Sequence, residues 1–137
     1  MKKRKVTHSL AKKRAWAAFS IYIRTRDSDA NGNGNCFTCG KIYPIKELQA
    51  GHWIPGRHLS ILFDERGVHA QCYHCNIGLK GNPIEYYDQM LKKYGKKVCE
   101  ELKALDKLVV KYKVTDLLEL EQFFKSKLTP KYERDHD

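Results

Sequence analysis

The stretch CYHCNIGLKGN, residues 72–82, decides how this chain is read. Cys72 and Cys75 have the spacing of one metal knuckle. CFTCGK, residues 36–41, supplies a second in Cys36 and Cys39, with Gly40 closing the turn. Each C-x-x-C turn aims two sulfurs at one ion, and two turns complete a tetrahedron. The four cysteines therefore read as a structural Zn2+ site. A closed four-sulfur site has no open position, so its ion supplies folding free energy rather than chemistry. Two independent redox or free cysteine pairs are the alternative. Five cysteines in paired spacing argue against a disulfide scaffold and for a reducing compartment. Cys99 is the spare thiol, in a helical stretch.

The knuckles lie far apart. Thirty-two residues separate Cys39 from Cys72, against about 15–20 in a simple zinc ribbon. Something else is built between them. LQAGHWIP (48–55) reads as a short strand ended by Pro55 and Gly56. SILFDERGVHAQC (60–72) reads as a second strand, or a turn leading into one. Asn76 falls at the start of a helix or helical turn. The zinc is thus expected to clamp the His52 strand and the Asn76 turn into one unit. A strand histidine facing a neutral oxygen ligand suits metal-assisted phosphodiester hydrolysis. The imidazole removes a proton from water, and a hard divalent ion stabilises the leaving oxygen. By itself His52 would read as a buried, hydrogen-bonded histidine; its place between two knuckles favours the catalytic reading.

The 137 residues fit a single domain, 1–137. Its parts are a basic N-terminal helix (1–27), a zinc-bound core (36–95) and a C-terminal helical extension (96–130). With 42% hydrophobic and 31% charged residues the core is modest, and a metal staple fits that need. No apolar run reaches about 18 residues, so no membrane span is expected. No apolar stretch of signal-peptide type follows the basic N-terminus, so no secretory signal is expected. Of the net charge of +10, residues 1–26 carry nine Lys/Arg and no acid, while the other 111 residues carry 17 basic and 16 acidic side chains. Such a local field attracts polyanions; a solvated, solubilising arm is the alternative.

Trp16, Phe19 and Ile23, with Leu10 above them, give residues 9–27 one apolar helical stripe. Thr7 or Ser9 can cap it. SDANGNGN (28–35) is a loop by composition. Asn82, Pro83 and Glu85 form a helix start of cap, first-turn proline and capping-box acid. That helix runs to about Tyr94, with Gly95 as its stop. Val98, Leu102, Leu105 and Val109 mark another helix. Thr115 caps a last one carrying Leu118, Phe123 or Phe124, and Leu128, ended by Pro130.

FSIYIRTRD (19–27), CFTCGK (36–41), QAGHWIP (49–55), VHAQCYHCN (68–76) and GNPIEYYDQMLKKYG (81–95) together carry a family likeness. Over about residues 10–130 the chain resembles the zinc-stapled HNH, or ββα-metal, endonucleases. It is closer still to the lambdoid-phage NinG or Rap recombination endonucleases. The resemblance implies an α+β fold: a small zinc-stapled ββα-metal core with an N-terminal basic helix and C-terminal helices. It implies a structure-selective endonuclease acting on four-way junctions and D-loops, leaving 5′-phosphate and 3′-hydroxyl ends. Carried over by position, His52 is the general base. Asn76 is a ligand of a catalytic Mg2+ or Mn2+, and Cys36, Cys39, Cys72 and Cys75 hold the zinc. DNA is the implied partner, branched by the family's pattern, and the bacterial cytoplasm the implied place of action.

Two departures stand out. Many HNH enzymes have an aspartate directly before the base histidine, where this chain has Gly51. Gln49, on the same strand face, holds a place that carries an acid in some relatives and is a candidate metal residue. A neutral Gln implies weak ion binding without DNA phosphate. Gly67 stands where the motif's central asparagine is usual. His69 is either a metal-associated residue or a packing residue. Arg57, His58 and Lys80 are candidate phosphate contacts, as are Lys12, Lys13, Arg14 and Arg24 of the basic helix. His74 lies within the second knuckle; His8 and His136 lie near the termini. A homodimer would allow two symmetric cuts. The C-terminal helices either form that interface or pack within one chain. A general HNH nuclease without junction preference, and a zinc-stapled DNA-binding module without catalysis, are the competing readings.

Overall fold

Thr7 starts the first helix, α1 (His8–Arg26), by accepting the Leu10 N–H on its Oγ1 at 3.1 Å. The computed structural model describes residues 5–128. Lys2, Lys3, Arg4, Pro130 and His136 lie outside the described residues. The described chain is mixed α+β, with two two-stranded sheets and five α-helices. It forms two compact units: α1 as far as Tyr22 with the segment from Lys111 on, and Ile23–Val110. Among the described residues no helix is long and apolar enough to cross a membrane.

In the first unit α1 buries Ala11, Ala15, Ala18 and Phe19, and Leu10 is exposed. Phe19 and Ile23 of the expected stripe are buried and Trp16 is half-buried, while Leu10 falls outside the buried face, which is completed by alanines. α5 (Val114–Leu128) buries Leu117, Phe124 and Leu128, at steps of seven and four, and leaves Phe123 exposed. Phe19 and Phe124 meet with ring centroids 4.7 Å apart. Thr115 is not the cap: the helix starts at Val114, and Asp116 Oδ2 accepts the Lys113 N–H at 2.8 Å.

The second unit holds both sheets. β1 (Asn33–Asn35) pairs antiparallel with β2 (Ile42–Pro44), where composition had indicated loop alone. Asp29 Oδ1 accepts the N–H groups of Asn31 and Asn33 and makes the preceding turn. Gly34 lies so close to Asp27 O and Leu48 that a Cβ there would be crowded. β3 (Leu48–His52) pairs antiparallel with β4 (Val68–Cys72), in the register Gln49↔Gln71, Gly51↔His69 and His52↔Val68. α2 (Leu59–Leu62) lies in the connection between them.

After β4 come a π-helical turn, His74–Gly78, and then α3 (Pro83–Tyr94) and α4 (Lys96–Asp106). Gly95, at φ 86°, ends α3 as the sequence indicates. Val109 is exposed, because α4 stops at Asp106. Trp53, Tyr86, Met90, Cys99 and Leu102 form one buried apolar cluster of this unit, so Cys99 is a core residue. Beside that core, Asp27 accepts the Ala70 N–H and the Arg26 guanidinium, both at 2.8 Å. Arg26 also donates to Glu65 O and Val68 O, and its Nη2 lies 3.1 Å from His69 Nδ1. This network ties the end of α1 to β4.

Candidate functional site

Gly40, at φ 78°, turns the first knuckle back, and its N–H returns to Cys36 O at 2.9 Å. The register of β4 then delivers Cys72 and the π-turn delivers Cys75. The Sγ atoms of Cys36, Cys39, Cys72 and Cys75 all lie within 4.8 Å of one another. Those of Cys39 and Cys72 are 3.9 Å apart. A tetrahedral Zn2+ with metal–sulfur bonds of about 2.3 Å has sulfur–sulfur edges of about 3.8 Å. The set can therefore hold one such ion. The sulfurs have polar partners suited to thiolate charge. Cys75 N–H donates to Cys72 Sγ at 3.4 Å, and Asn82 Nδ2 to Cys75 Sγ at 3.7 Å. Burial alone would raise the Cys36 thiol, but the Cys39 N–H and the Thr38 hydroxyl outweigh it and hold it at about 6.

Asn82 is the N-cap residue of α3, and its carbonyl accepts the Tyr86 N–H at 2.9 Å. It sits at φ 48°, and its side chain makes no capping bond but serves Cys75 instead. Glu85 Oε1 accepts from Gln89 Nε2 at 3.0 Å. Lys80, Gly81 and Asn82 are three successive residues at positive φ. A side chain at Gly81 would sit 4.0 Å from His52 O, so this turn runs beside the end of β3.

A hydrogen-bond chain leads inward from the cysteines. Thr38 Oγ1 lies 3.4 Å from Cys36 Sγ and accepts from Gln71 Nε2 at 3.2 Å. With that lone pair used, its hydroxyl proton is free to face the sulfur. Gln71 Nε2 also donates to Gly81 O at 3.0 Å. A carbonyl can only accept, so the orientation of the Gln71 amide is fixed. Gln71 is fully buried, and its Oε1 has no hydrogen-bond partner among the described residues. That oxygen lies directly over Gly51: a Cβ at Gly51 would overlap it and stand 3.0 Å from Asn76 Oδ1. Asn76 in turn donates through Nδ2 to Gln49 Oε1 at 2.7 Å. Gln49, Gln71 and Asn76 therefore gather on the Gly51 face of the hairpin. An open cleft of about 370 Å³, lined by Tyr43, Lys46, Glu47, Gln49, Cys72, Tyr73 and His74, borders Gln49.

His52 is the next residue after Gly51, at the end of β3. Its Nε2 is 3.2 Å from Leu62 O. The carbonyl only accepts, so Nε2 carries the proton and Nδ1 carries the lone pair of the neutral ring. Burial pushes the imidazolium below its ordinary range; the Leu62 carbonyl offsets part of this and the Arg57 charge adds to it. A cavity of about 10 Å³ is lined by His52, Ile54, Ile61, Gly67 and Leu102, roughly the space of one water molecule. Tyr86 OH donates to Gly51 O at 2.6 Å and fixes this end of the strand to α3.

His69 lies elsewhere. It is buried and stacked on Phe37 at 4.0 Å. Its Nε2 faces Arg66 O and Tyr94 OH, and its Nδ1 faces Arg26 and Asp27. Both nitrogens are thus taken up by protein groups. Of the candidate phosphate contacts, Arg57 and Lys80 are exposed, both at φ 53°. His58 Nδ1 is 2.7 Å from Asp106 Oδ1. In the other unit Lys13 is exposed and Lys12 partly so, while Arg14 is paired with Glu121 at 2.9 Å. Arg24 is partly buried, and burial lowers its pKa. Sequence reasoning missed Gln71, Thr38 and Asp27. The signal for Gln71 was an amide between Ala70 and Cys72, in a strand otherwise built for burial.

A family model described as Bacteriophage Lambda NinG protein matches residues 1–133. The protein ninG of Escherichia phage 933W is 30% identical over 93 residues, which is 67% of this chain and 44% of that protein. The protein ninG of Escherichia phage lambda is 29% identical over 67% of this chain and 43% of its own length. That of Salmonella phage P22 is 30% identical over the same shares. The chain thus spans less than half the length of these curated relatives. No solved structure matches it.

Proposed function

The chain belongs to the NinG family of lambdoid phage, and from that premise and the geometry around Gly51 we propose a metal-dependent DNA endonuclease that cuts branched recombination intermediates. The β3–β4 hairpin with the π-turn behind it is read as the ββα-metal core of an HNH nuclease, and the four cysteines as its structural zinc site. The observation that carries the reading is His52. It is half-buried, burial lowers its pKa, and its Nε2 lies 3.2 Å from Leu62 O. It directly follows the residue over which Asn76 is held. That is the state a general base needs near neutral pH.

In this reading Nδ1 of His52 takes a proton from a water molecule. The water oxygen bonds to phosphorus, and the bond to the 3′ oxygen breaks. The products carry a 5′-phosphate and a 3′-hydroxyl. The unpartnered buried oxygen at Gly51 and the amide oxygen of Asn76 fit a hard divalent cation, Mg2+ or Mn2+. When bound, that ion would neutralise phosphodiester charge and stabilise the departing oxygen. Gln49 holds the Asn76 amide in place through the 2.7 Å hydrogen bond. Lys80 and Arg57, exposed next to this region, contact phosphates, and the basic α1 adds sequence-independent affinity that falls with salt. Two symmetric cuts across a four-way junction call for a homodimer, acting in the bacterial cytoplasm.

One observation favours a second reading, a zinc-stapled DNA-binding module without catalysis: Gln49, Gly51, Gln71 and Asn76 bring no carboxylate to the site. The test is cleavage of a synthetic four-way junction and of a linear duplex of the same sequence, with Mg2+ or Mn2+ and with EDTA. Metal-dependent cutting of the junction alone is the expected result. Equal cutting of both substrates reduces the reading to a general HNH nuclease. Binding of both without cutting leaves the binding module.

A further inference from the structure

We propose that Gln71 Oε1 is a ligand of the divalent cation, paired with Asn76 Oδ1, and that Gly51 is glycine because this oxygen occupies the place of its side chain. The inference deepens the nuclease reading and rests on it. Three observations support it. First, both amides are oriented by their own partners. Gln71 Nε2 is held by Gly81 O and Thr38 Oγ1, and Asn76 Nδ2 by Gln49 Oε1. Their oxygens are therefore directed, not arbitrary, and both reach the point where a Gly51 Cβ would stand.

Second, Gln71 Oε1 is buried with no donor among the described residues. Leaving such an acceptor unsatisfied costs about 1–3 kcal/mol. Two carbonyl-type oxygens converging on one small space repel each other unless a donor or a cation lies between them. Third, Gly51 is in ordinary strand pairing with His69 and is not among the glycines at positive φ. Its lack of a side chain is thus not required by the backbone. It is required by the amide above it. An aspartate on Gly51 would have supplied an oxygen from β3; here the cross-strand residue Gln71 supplies it from β4.

The same amide reaches Cys36 through Thr38. The cysteine cluster consequently positions a ligand of the second ion as well as closing the fold. All the amide ligands are neutral, so affinity for the free ion is low and rises when DNA phosphate completes the shell. Affinity in such oxygen sites follows ligand charge.

The test is Mn2+ binding to the zinc-loaded full chain, followed by electron paramagnetic resonance of the free ion, with junction cleavage run in parallel. The variants are Gly51→Ala, Gln71→Glu and Asn76→Ala. Gly51→Ala leaves the backbone conformation in place, pushes the Gln71 oxygen aside and crowds Asn76 Oδ1 by a few tenths of an ångström at most. It is expected to weaken Mn2+ binding about tenfold or more, at least the loss that removal of an outer-shell partner brings. Gln71→Glu puts a charge at the same place and removes the donor to Gly81 O and Thr38 Oγ1, so Mn2+ affinity is expected to change by about tenfold. Circular dichroism and zinc content show that each variant is folded. Unchanged Mn2+ affinity in both Gly51→Ala and Gln71→Glu, with loss in Asn76→Ala and cleavage by the wild type, overturns the role of Gln71 and leaves the nuclease reading standing. Absence of both Mn2+ binding and cleavage in the wild type overturns the two together.

Discussion

Replacing Asp27 by Asn removes the charge around which the start of the second unit is organised. The carboxylate accepts the Ala70 N–H at 2.8 Å and Arg26 through Nε at 2.8 Å and Nη2 at 3.2 Å. The side chains of Asp27 and Arg26 are only 19% and 25% exposed. An Asn keeps the shape and one acceptor oxygen, but leaves the guanidinium with carbonyls and a neutral imidazole alone. Breaking a buried pair costs about 3–5 kcal/mol, and the residual exposure puts this one near about 3 kcal/mol. For a unit of this size that lowers the melting temperature by about 15 °C. Urea and thermal unfolding at pH 7, followed by tryptophan fluorescence, measure it. A change below about 0.5 kcal/mol would place the substitution among ordinary surface changes and refute the reasoning.

The pH dependence of the same pair is a second check. Burial raises the Asp27 carboxyl, but His69, Arg26 and the Ala70 N–H outweigh it and hold the group well below its ordinary range. A carboxyl with a depressed folded pKa contributes stability above its unfolded value, about 3.9, and loses it as pH falls further. The gap between wild type and Asp27→Asn is therefore expected to be constant above about pH 5 and to shrink below about pH 4. A gap that stays constant into that acid range contradicts it.

Other expectations follow from single features. Burial, with the nearby Arg57 and Arg26 charges, lowers the pKa values of His52 and His69. An unfolded histidine takes up its proton near pH 6.5 first, so stability is complete above that pH and declines as pH falls through it; a flat unfolding profile from pH 7 to 5 contradicts this. Tyr86→Phe removes the donor to Gly51 O and is expected to cost about 1–2 kcal/mol in urea unfolding; no loss would show the bond to be idle. Metal analysis is expected to find one zinc per chain, retained in Cys99→Ser and lost in Cys39→Ser together with cooperative unfolding of Ile23–Val110; equal zinc in both variants contradicts the four-cysteine site. If His52 is the base, the cleavage rate rises with pH through a value below 6.5 and then levels; a rate that falls over that range contradicts it.

Much of the second unit was legible because its signals are local. Two C-x-x-C spacings, a proline after Asn82 and a glycine after Tyr94 act over a few residues, and the knuckles, α3 and its stop lie where they indicate. What failed depended on partners distant in sequence. Asn82 is the cap residue of α3, but Cys75 Sγ claims its side-chain amide. Residues 33–35 have the composition of a loop, but they find β2 across a turn made by Asp29. Leu10 fits the helical period, yet the buried face of α1 is completed by alanines whose small size hides them from a hydrophobic count. At the candidate site, the sequence puts His52 and Asn76 forward by their positions between and after the knuckles. It does not put Gln71 forward, because the meaning of that residue lies in the strand register that places it over Gly51.

The most direct test is single-turnover cleavage of a four-way junction by wild type and His52→Ala at saturating protein with Mg2+, alongside binding of the same junction. The expected result is equal binding and zinc content, with the cleavage rate reduced about 10²–10⁴-fold in His52→Ala, the usual contribution of a positioned base. Cleavage by His52→Ala at the wild-type rate, or no cleavage by either protein despite tight binding, would contradict the assignment of a histidine-based nuclease.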